Sequence, residues 1–348
     1  MNAFVLDNGK KMKYNYPVDL SEPREVNIMY TIGVDLGGTN IAVGLCDESL
    51  KIIDKDSVPT LAKRAPELII KDMAELTERI IKRNNLTLSD IEYVGIATPG
   101  SVDAERGYVE YTNNLPLVNF PLADTFRSFL PVSRIILEND ANAAALGEAL
   151  AGSAKGAKTA IMITLGTGVG GGIIIDGKIF AGGVNAAGAE IGHHVICSGG
   201  RQCTCGRRGC FEAYASATAL TAMTSEKIEE LSLKGIDSVL ENTAKSAGKV
   251  SARTAFDAMK AGCKWGREVV DSYIFYLAEG ITNVINIFQP EILCIGGGVC
   301  NEREYLTVPL TEIIERDQYT RNSKKKTKLV IAELGNDAGI IGAAGLGI

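Results

Sequence analysis

Apolar residues along this chain follow two rhythms that return in order. YTIGVDLGGTNIAVGLCDESLKII, residues 30–53, places apolar runs on either side of Gly37-Gly38, which predicts strand, glycine turn, strand. From Pro66 to residue 83 the spacing changes. Ile69, Met73, Leu76 and Ile80 follow at steps of four, three and four, predicting an amphipathic helix with proline at its first position. IEYVGIATPG predicts a strand ending in a turn at Pro99-Gly100, and RIILENDANAAALGEALAG a buried strand running into an alanine-rich helix at Asp140. Then the first pattern restarts. TAIMITLGTGVGGGIIIDGKIF again reads as strand, glycine turn, strand, with Asp176-Gly177 as a second hairpin signal. Trp265 to Phe288 predicts a long helix stopped by Pro290. ILCIGGGV and KLVIAEL predict strands, and DAGIIGAAGLGI a short closing helix.

The restart implies an internal duplication, with each half opening on a glycine-bearing hairpin. A length of 348 residues, too great for one ordinary core, agrees with two lobes. Residues 1–29 are polar, hold Pro17 and Pro23, and lack periodicity, so they read as an extension of unassigned role. The 36 basic and 42 acidic residues leave a net charge of −6, which argues against nucleic acid as the main partner. No apolar run reaches the ~18 to 20 residues of a membrane span, and the N-terminus lacks a signal peptide's apolar stretch. The expectation is a cytoplasmic α/β protein without a membrane partner, whose clustered cysteines hold metal rather than disulfides.

Two phosphate motifs almost appear. GSAKGAKT has Ala157 where a P-loop needs glycine, and it follows a helix. GTGVGG satisfies a dinucleotide fingerprint but runs into a strand instead of a helix. What remains is three glycine turns, DLGGT, LGTGVGGG and IGGG, where backbone N–H groups can face anionic oxygens without a Cβ in the way. Thr39 and Thr167 add hydroxyl donors, and Asp35 is a carboxylate suited to Mg²⁺ beside a phosphate. Three such turns in a duplicated chain favour a nucleotide.

In LENDAN, Asn139 and Asp140 open a helix at a strand's C-terminal end. Asp140 therefore reads either as a helix cap or as a base for an attacking hydroxyl. Neutral polyols are held by groups that pair with adjacent hydroxyls; Asn139, Glu190, His193 and Glu212 are the candidates, with the PGSVD and TNNLP loops as neighbours. EIGHHVICSGGRQCTCGRRGCFEAYAS, residues 190–216, holds both histidines and four of the eight cysteines. His193, Cys203, Cys205 and Cys210 have the types and number of a closed, structural zinc site, while Cys197 and His194 remain rival ligands.

DLGGTN, TPGSVD, NNLP, ENDANAAALGE, TLGTGVGGGII, AGAEIGHH, CTCGRRGCFEAYAS, CIGGGV and DAGIIGAA, in this order, resemble the ROK family of sugar kinases and repressors. The resemblance covers the chain from about residue 30 to its end. It implies a two-lobed actin/hexokinase-like (ribonuclease H-like) α/β fold with a central cleft. The small lobe would be 30–149 plus 334–348; the large lobe, 150–333, would carry the zinc site, the adenosine region and the dimer contacts. It further implies ATP and Mg²⁺ in the cleft and transfer of the γ-phosphoryl group to a sugar's 6-hydroxyl, with Asp140 as base. Gly100, Asn114, Asn139, Glu190, His193 and Glu212 would bind the sugar. Asp35, Gly37, Gly38, Thr39 and Asn40 would meet the nucleotide, as would Gly166, Thr167, Gly168, Gly170, Gly296, Gly297 and Gly298. His193 with Cys203, Cys205 and Cys210 would hold zinc, leaving Cys197 and His194 out. The chain is most similar to the family's bacterial glucokinases, so glucose and a homodimer are expected. N-acetylmannosamine, mannose or fructose is the alternative substrate. A sugar-sensing regulator without turnover is the alternative of another class, although residues 1–29 are too short for a winged helix-turn-helix.

Overall fold

The computed structural model of the chain describes residues 29–184 and 188–348, together with a small antiparallel pairing of β1 (Leu6–Asp7) and β2 (Lys10–Lys11). The rest of the expected N-terminal extension lies outside the described residues.

Two five-stranded sheets share one topology. The first comprises β3 (Tyr30–Leu36), β4 (Asn40–Cys46), β5 (Ile52–Pro59), β6 (Ile91–Thr98) and β10 (Ile135–Asn139), in the order β10-β6-β3-β4-β5. The hairpin partners β3, β4 and β5 are antiparallel, whereas β6 and β10 join parallel to β3. The second comprises β11 (Ala160–Leu165), β12 (Val169–Ile175), β13 (Lys178–Ile179), β14 (Ile292–Gly296) and β15 (Lys328–Ile331), in the order β13-β12-β11-β14-β15. Here too the first three strands form an antiparallel meander and the last two run parallel to the first. The duplication expected from the two glycine hairpins is therefore a duplication of whole sheets.

Each sheet has its own apolar core. Helix α1 (Pro66–Arg83) buries Ile69, Met73, Leu76 and Ile80 against the first sheet, as its spacing predicts, and packs beside α2 (Leu122–Phe129). A three-stranded sheet of β7 (Ser101–Asp103), β8 (Tyr108–Tyr111) and β9 (Val118–Phe120) follows β6. In the second half, α4 (Glu212–Ala215), α5 (Ala217–Leu233), α6 (Val239–Ser246) and α7 (Ala252–Lys260) precede the long α8 (Lys264–Phe288). Tyr273, Leu277 and Ile281 of α8 join Phe211, Ile161 and Ile163 in one cluster.

Two helices exchange sides. α3 (Asp140–Ala151) leaves β10 and packs on β11 and β12, while α10 (Ala338–Ala344), at the chain's end, packs on β3, β4 and β6. They cross each other, and small residues permit it. A Cβ on Gly342 would overlap the Ala143 carbonyl, and one on Gly147 would overlap that of Ala338. α9 (Glu304–Asp317) lies between β14 and β15 in sequence and packs on α8. None of the helices among the described residues is long and apolar enough to cross a membrane.

Candidate functional site

Residues at the C-terminal ends of β3, β11, β14 and β15, and just after β10, face one cavity of about 1230 Å³, the usual place for an α/β ligand site. Asp35 comes from β3 and Asp140 from the residue after β10, with β6 between their strands. Burial, then the neighbouring Asp140 charge, raises the Asp35 carboxyl to about 6. Burial also raises that of Asp140. The capping alternative for Asp140 is resolved by its neighbour. Asn139 is the helix cap, its Oδ1 accepting the N–H groups of Ala141 at 2.9 Å and Asn142 at 3.2 Å. Asp140 is the first helical residue, and its carboxylate accepts the Ala141 N–H at 2.8 Å while lining the cavity.

The two hairpin turns are alike. Gly37 N–H bonds Asn40 O at 2.9 Å and Gly166 N–H bonds Gly168 O at 3.0 Å. The N–H groups of Gly38, Thr39, Thr167 and Gly168 have no hydrogen-bond partner among the described residues, which suits an anion. The third turn, Gly296 to Gly298, puts Gly297 at φ 96°, where a Cβ would meet the Leu165 backbone. Gly37, Gly166, Thr167, Gly168 and Gly170 line the cavity, as do Gly296, Gly297 and Gly298. Gly38, Thr39 and Asn40 are exposed at the tip of the first hairpin and off its walls, with Gly38 beside Asn114.

Glu190, His193 and Glu212 reach the same cavity through a 3-10 turn at Ile191–His193 and through the start of α4. Asn139, Gly100 and Asn114 do not line it. The Asn139 amide is occupied by its cap and by a bond from Nδ2 to Gly100 O at 3.1 Å.

His193, Cys203, Cys205 and Cys210 gather their ligand atoms within 4.8 Å of one another. Cys203 Sγ lies 3.6 Å from His193 Nδ1, and Cys205 Sγ lies 3.7 Å from Cys210 Sγ. A tetrahedral zinc with Zn–S near 2.3 Å and Zn–N near 2.0 Å separates its ligands by roughly 3.5 to 3.8 Å, so the donor set fits. Gly206 at φ 89° and Gly209 at φ 84° turn the loop back on itself. His194 is otherwise engaged: its Nδ1–H donates to Ile191 O at 2.6 Å and its ring leans on Phe211. Cys197 also stands outside the cluster.

Besides Thr164 of the TLGTGVGGGII motif, the cavity has walls that the motifs did not announce: Asn301, Arg303, Glu304, Thr307, Glu333 and Asn336. These follow β14 or β15, so the rule that ligands gather at strand C-termini could have found them.

The ROK family pattern matches residues 31–348. The chain belongs to the ROK family. It is 39% identical to a glucokinase of Thermotoga maritima over 90% of this chain and 96% of that protein. It is 36% identical to a glucokinase of Halalkalibacterium halodurans over 90% and 94%. Among solved structures, a ROK glucokinase of Streptomyces griseus in complex with glucose and AMPPNP superposes with a TM-score of 0.73. The two are 31% identical, and the match covers 91% of this chain and 98% of that one.

Proposed function

We propose that this chain phosphorylates glucose at the 6-hydroxyl with ATP, using Asp140 as the general base. That it is an ATP-dependent sugar kinase follows from the family and its glucokinase relatives. The finer reading is supported by one observation: Asn139 takes the capping task, and the Asp140 carboxylate lines the same cavity as Glu190, His193, Glu212 and the glycine turns.

In this reading Glu190, His193 and Glu212 hold the sugar hydroxyls, and with Nδ1 of His193 facing the thiols its Nε2–H is free to meet one. Asn139 keeps Gly100 in place and would reach a sugar hydroxyl, as would Asn114 on the TNNLP loop. Asp140 accepts the proton of the attacking hydroxyl as the bond to phosphorus forms and ADP leaves. The N–H groups and hydroxyls of the two hairpin turns hold the phosphates. Asp35 would hold Mg²⁺, usually through water, and the ion neutralises charge on the phosphates when bound. Zinc at His193, Cys203, Cys205 and Cys210 would be structural, since four protein ligands leave no position for a reacting water. A small lobe of residues 30–149 with 334–348 would close on a large lobe of 150–333 to exclude water, in a homodimer.

An ADP-release assay across glucose, mannose, fructose, N-acetylglucosamine and N-acetylmannosamine tests the substrate. Glucose is expected to lead in kcat/KM by about tenfold or more, ~1.4 kcal/mol of transition-state preference. A lead by N-acetylmannosamine would move the assignment to that sugar. Absence of turnover with every sugar, together with sequence-specific DNA binding, would replace the enzyme with a regulator.

A further inference from the structure

We infer that Glu148 is a positioning residue for the nucleotide: it locks the 333–336 wall of the cavity to the helix that carries Asp140. The inference rests on the kinase reading above. Glu148 sits in the last turns of α3 and is fully buried. A carboxylate there is costly, because burial strips its water and the helix C-terminus repels negative charge. Four donors from two separate segments offset that cost. Oε2 accepts Ser153 N–H at 2.8 Å, Ser153 Oγ–H at 2.9 Å and Glu333 N–H at 3.2 Å, and Oε1 accepts Leu334 N–H at 2.8 Å. Gly152 makes room, since a Cβ there would overlap Oε2.

The bonded segment is what gives this arrangement a role in the reaction. Glu333 and Leu334 follow β15 and lead into α10, and Ala332, Glu333, Gly335 and Asn336 line the same cavity as the Gly296–Gly298 turn. Asp140, at the other end of α3, lines it too. One rigid helix therefore sets the distance between the base and the nucleotide wall, with Glu148 as its distal fastening. Ser153 fixes the carboxylate itself. Neither residue is among those that line the cavity.

Calorimetry with ATP-Mg²⁺ and, separately, with glucose on wild type, Glu148→Gln and Ser153→Ala tests this. Gln keeps the size but turns an amide NH₂ toward backbone donors. Leaving a buried donor unpaired is expected to weaken ATP binding by about tenfold or more in Glu148→Gln, with glucose affinity within about twofold of wild type. Ser153→Ala, which removes one of four donors, is expected to weaken ATP binding by about threefold, again sparing glucose. Unchanged ATP affinity in folded Glu148→Gln overturns the inference, as does an equal loss for both ligands. If Glu148→Gln does not fold, unchanged ATP affinity in Ser153→Ala overturns it instead. Wild type that turns over no sugar would sink the kinase reading, whereas wild-type turnover with ATP-indifferent variants sinks only the role of Glu148.

Discussion

The Glu212 carboxylate accepts the Val169 N–H at 3.0 Å, so the cysteine loop and the second glycine turn share one side chain. The same oxygen fills the space where a Cβ of Gly168 would go. Its other oxygen accepts from Thr204 Oγ1 at 3.1 Å and lies 3.7 Å from Cys203 Sγ. If the cluster holds zinc, as proposed, losing it should therefore reach the turn as well as the proposed sugar-binding residues. Burial first, then the neighbouring Cys205 and Cys203, pushes the Cys210 thiol up to about 12, a crowding that a dication relieves by taking the thiolates as ligands. Cys205→Ser is the informative variant, because Cys205 is exposed and contributes little packing. Its zinc content by mass spectrometry is expected to fall to background, its glucose affinity by about tenfold or more, and its Tm by several degrees. Zinc-free Cys205→Ser that binds glucose as wild type does would separate the cluster from the pocket.

Asn139 and Asp140 are adjacent, yet they should fail in different ways. Asp140→Asn would remove the proposed proton acceptor while leaving the cap on Asn139. Turnover is expected to fall by roughly 10² to 10⁴-fold, with Tm and zinc content near wild type. Asn139→Ala removes two cap bonds and the bond to Gly100 O, and is expected to cost about 1 kcal/mol of stability and to raise the sugar KM. Thermal unfolding and steady-state kinetics on both variants check this. Retained turnover in Asp140→Asn would take the base away from Asp140.

The apolar runs are enough to read the fold in outline because both hairpins carry glycine between two of them, and α1 announces itself through Pro66 and its buried stripe. The crossing of α3 and α10 was not legible. It depends on backbone approach at Gly147 and Gly342, and an alanine-rich stretch with glycines has little periodicity to show which sheet it faces. α5 is illegible for a similar reason. It mixes alanine, threonine and charge on all sides and buries residues such as Leu220 and Met223 without a clean stripe. In the site, residues inside motifs were readable, whereas Asn301, Arg303 and Asn336 sit on connections whose only signal is their place after a strand. Glu148 lies inside a quoted motif, but its role appears only once residues 333 and 334 return to it.

Asp35 gives the site a pH signature. α10 lies directly over it, since a Cβ on Gly339 would stand 2.5 Å from Asp35 Oδ2. Burial first and Asp140 second raise its carboxyl from the usual range to about 6. The folded protein therefore holds this proton more tightly than the unfolded chain, and the ionised group weighs against folding. That cost is absent well below the unfolded value near 3.9, grows as pH rises, and is fully present above about 6. In metal-free protein, Asp35→Asn is expected to raise Tm most above about pH 6, with the gain shrinking as pH falls toward 4. ATP-Mg²⁺ should reverse the order by stabilising wild type and not the variant. Thermal unfolding between about pH 4 and 8, with and without ATP-Mg²⁺, reads both effects. Parallel Tm curves for the two proteins across that range would mean that Asp35 ionises as an ordinary surface carboxylate and is not the buried group that Mg²⁺ must claim.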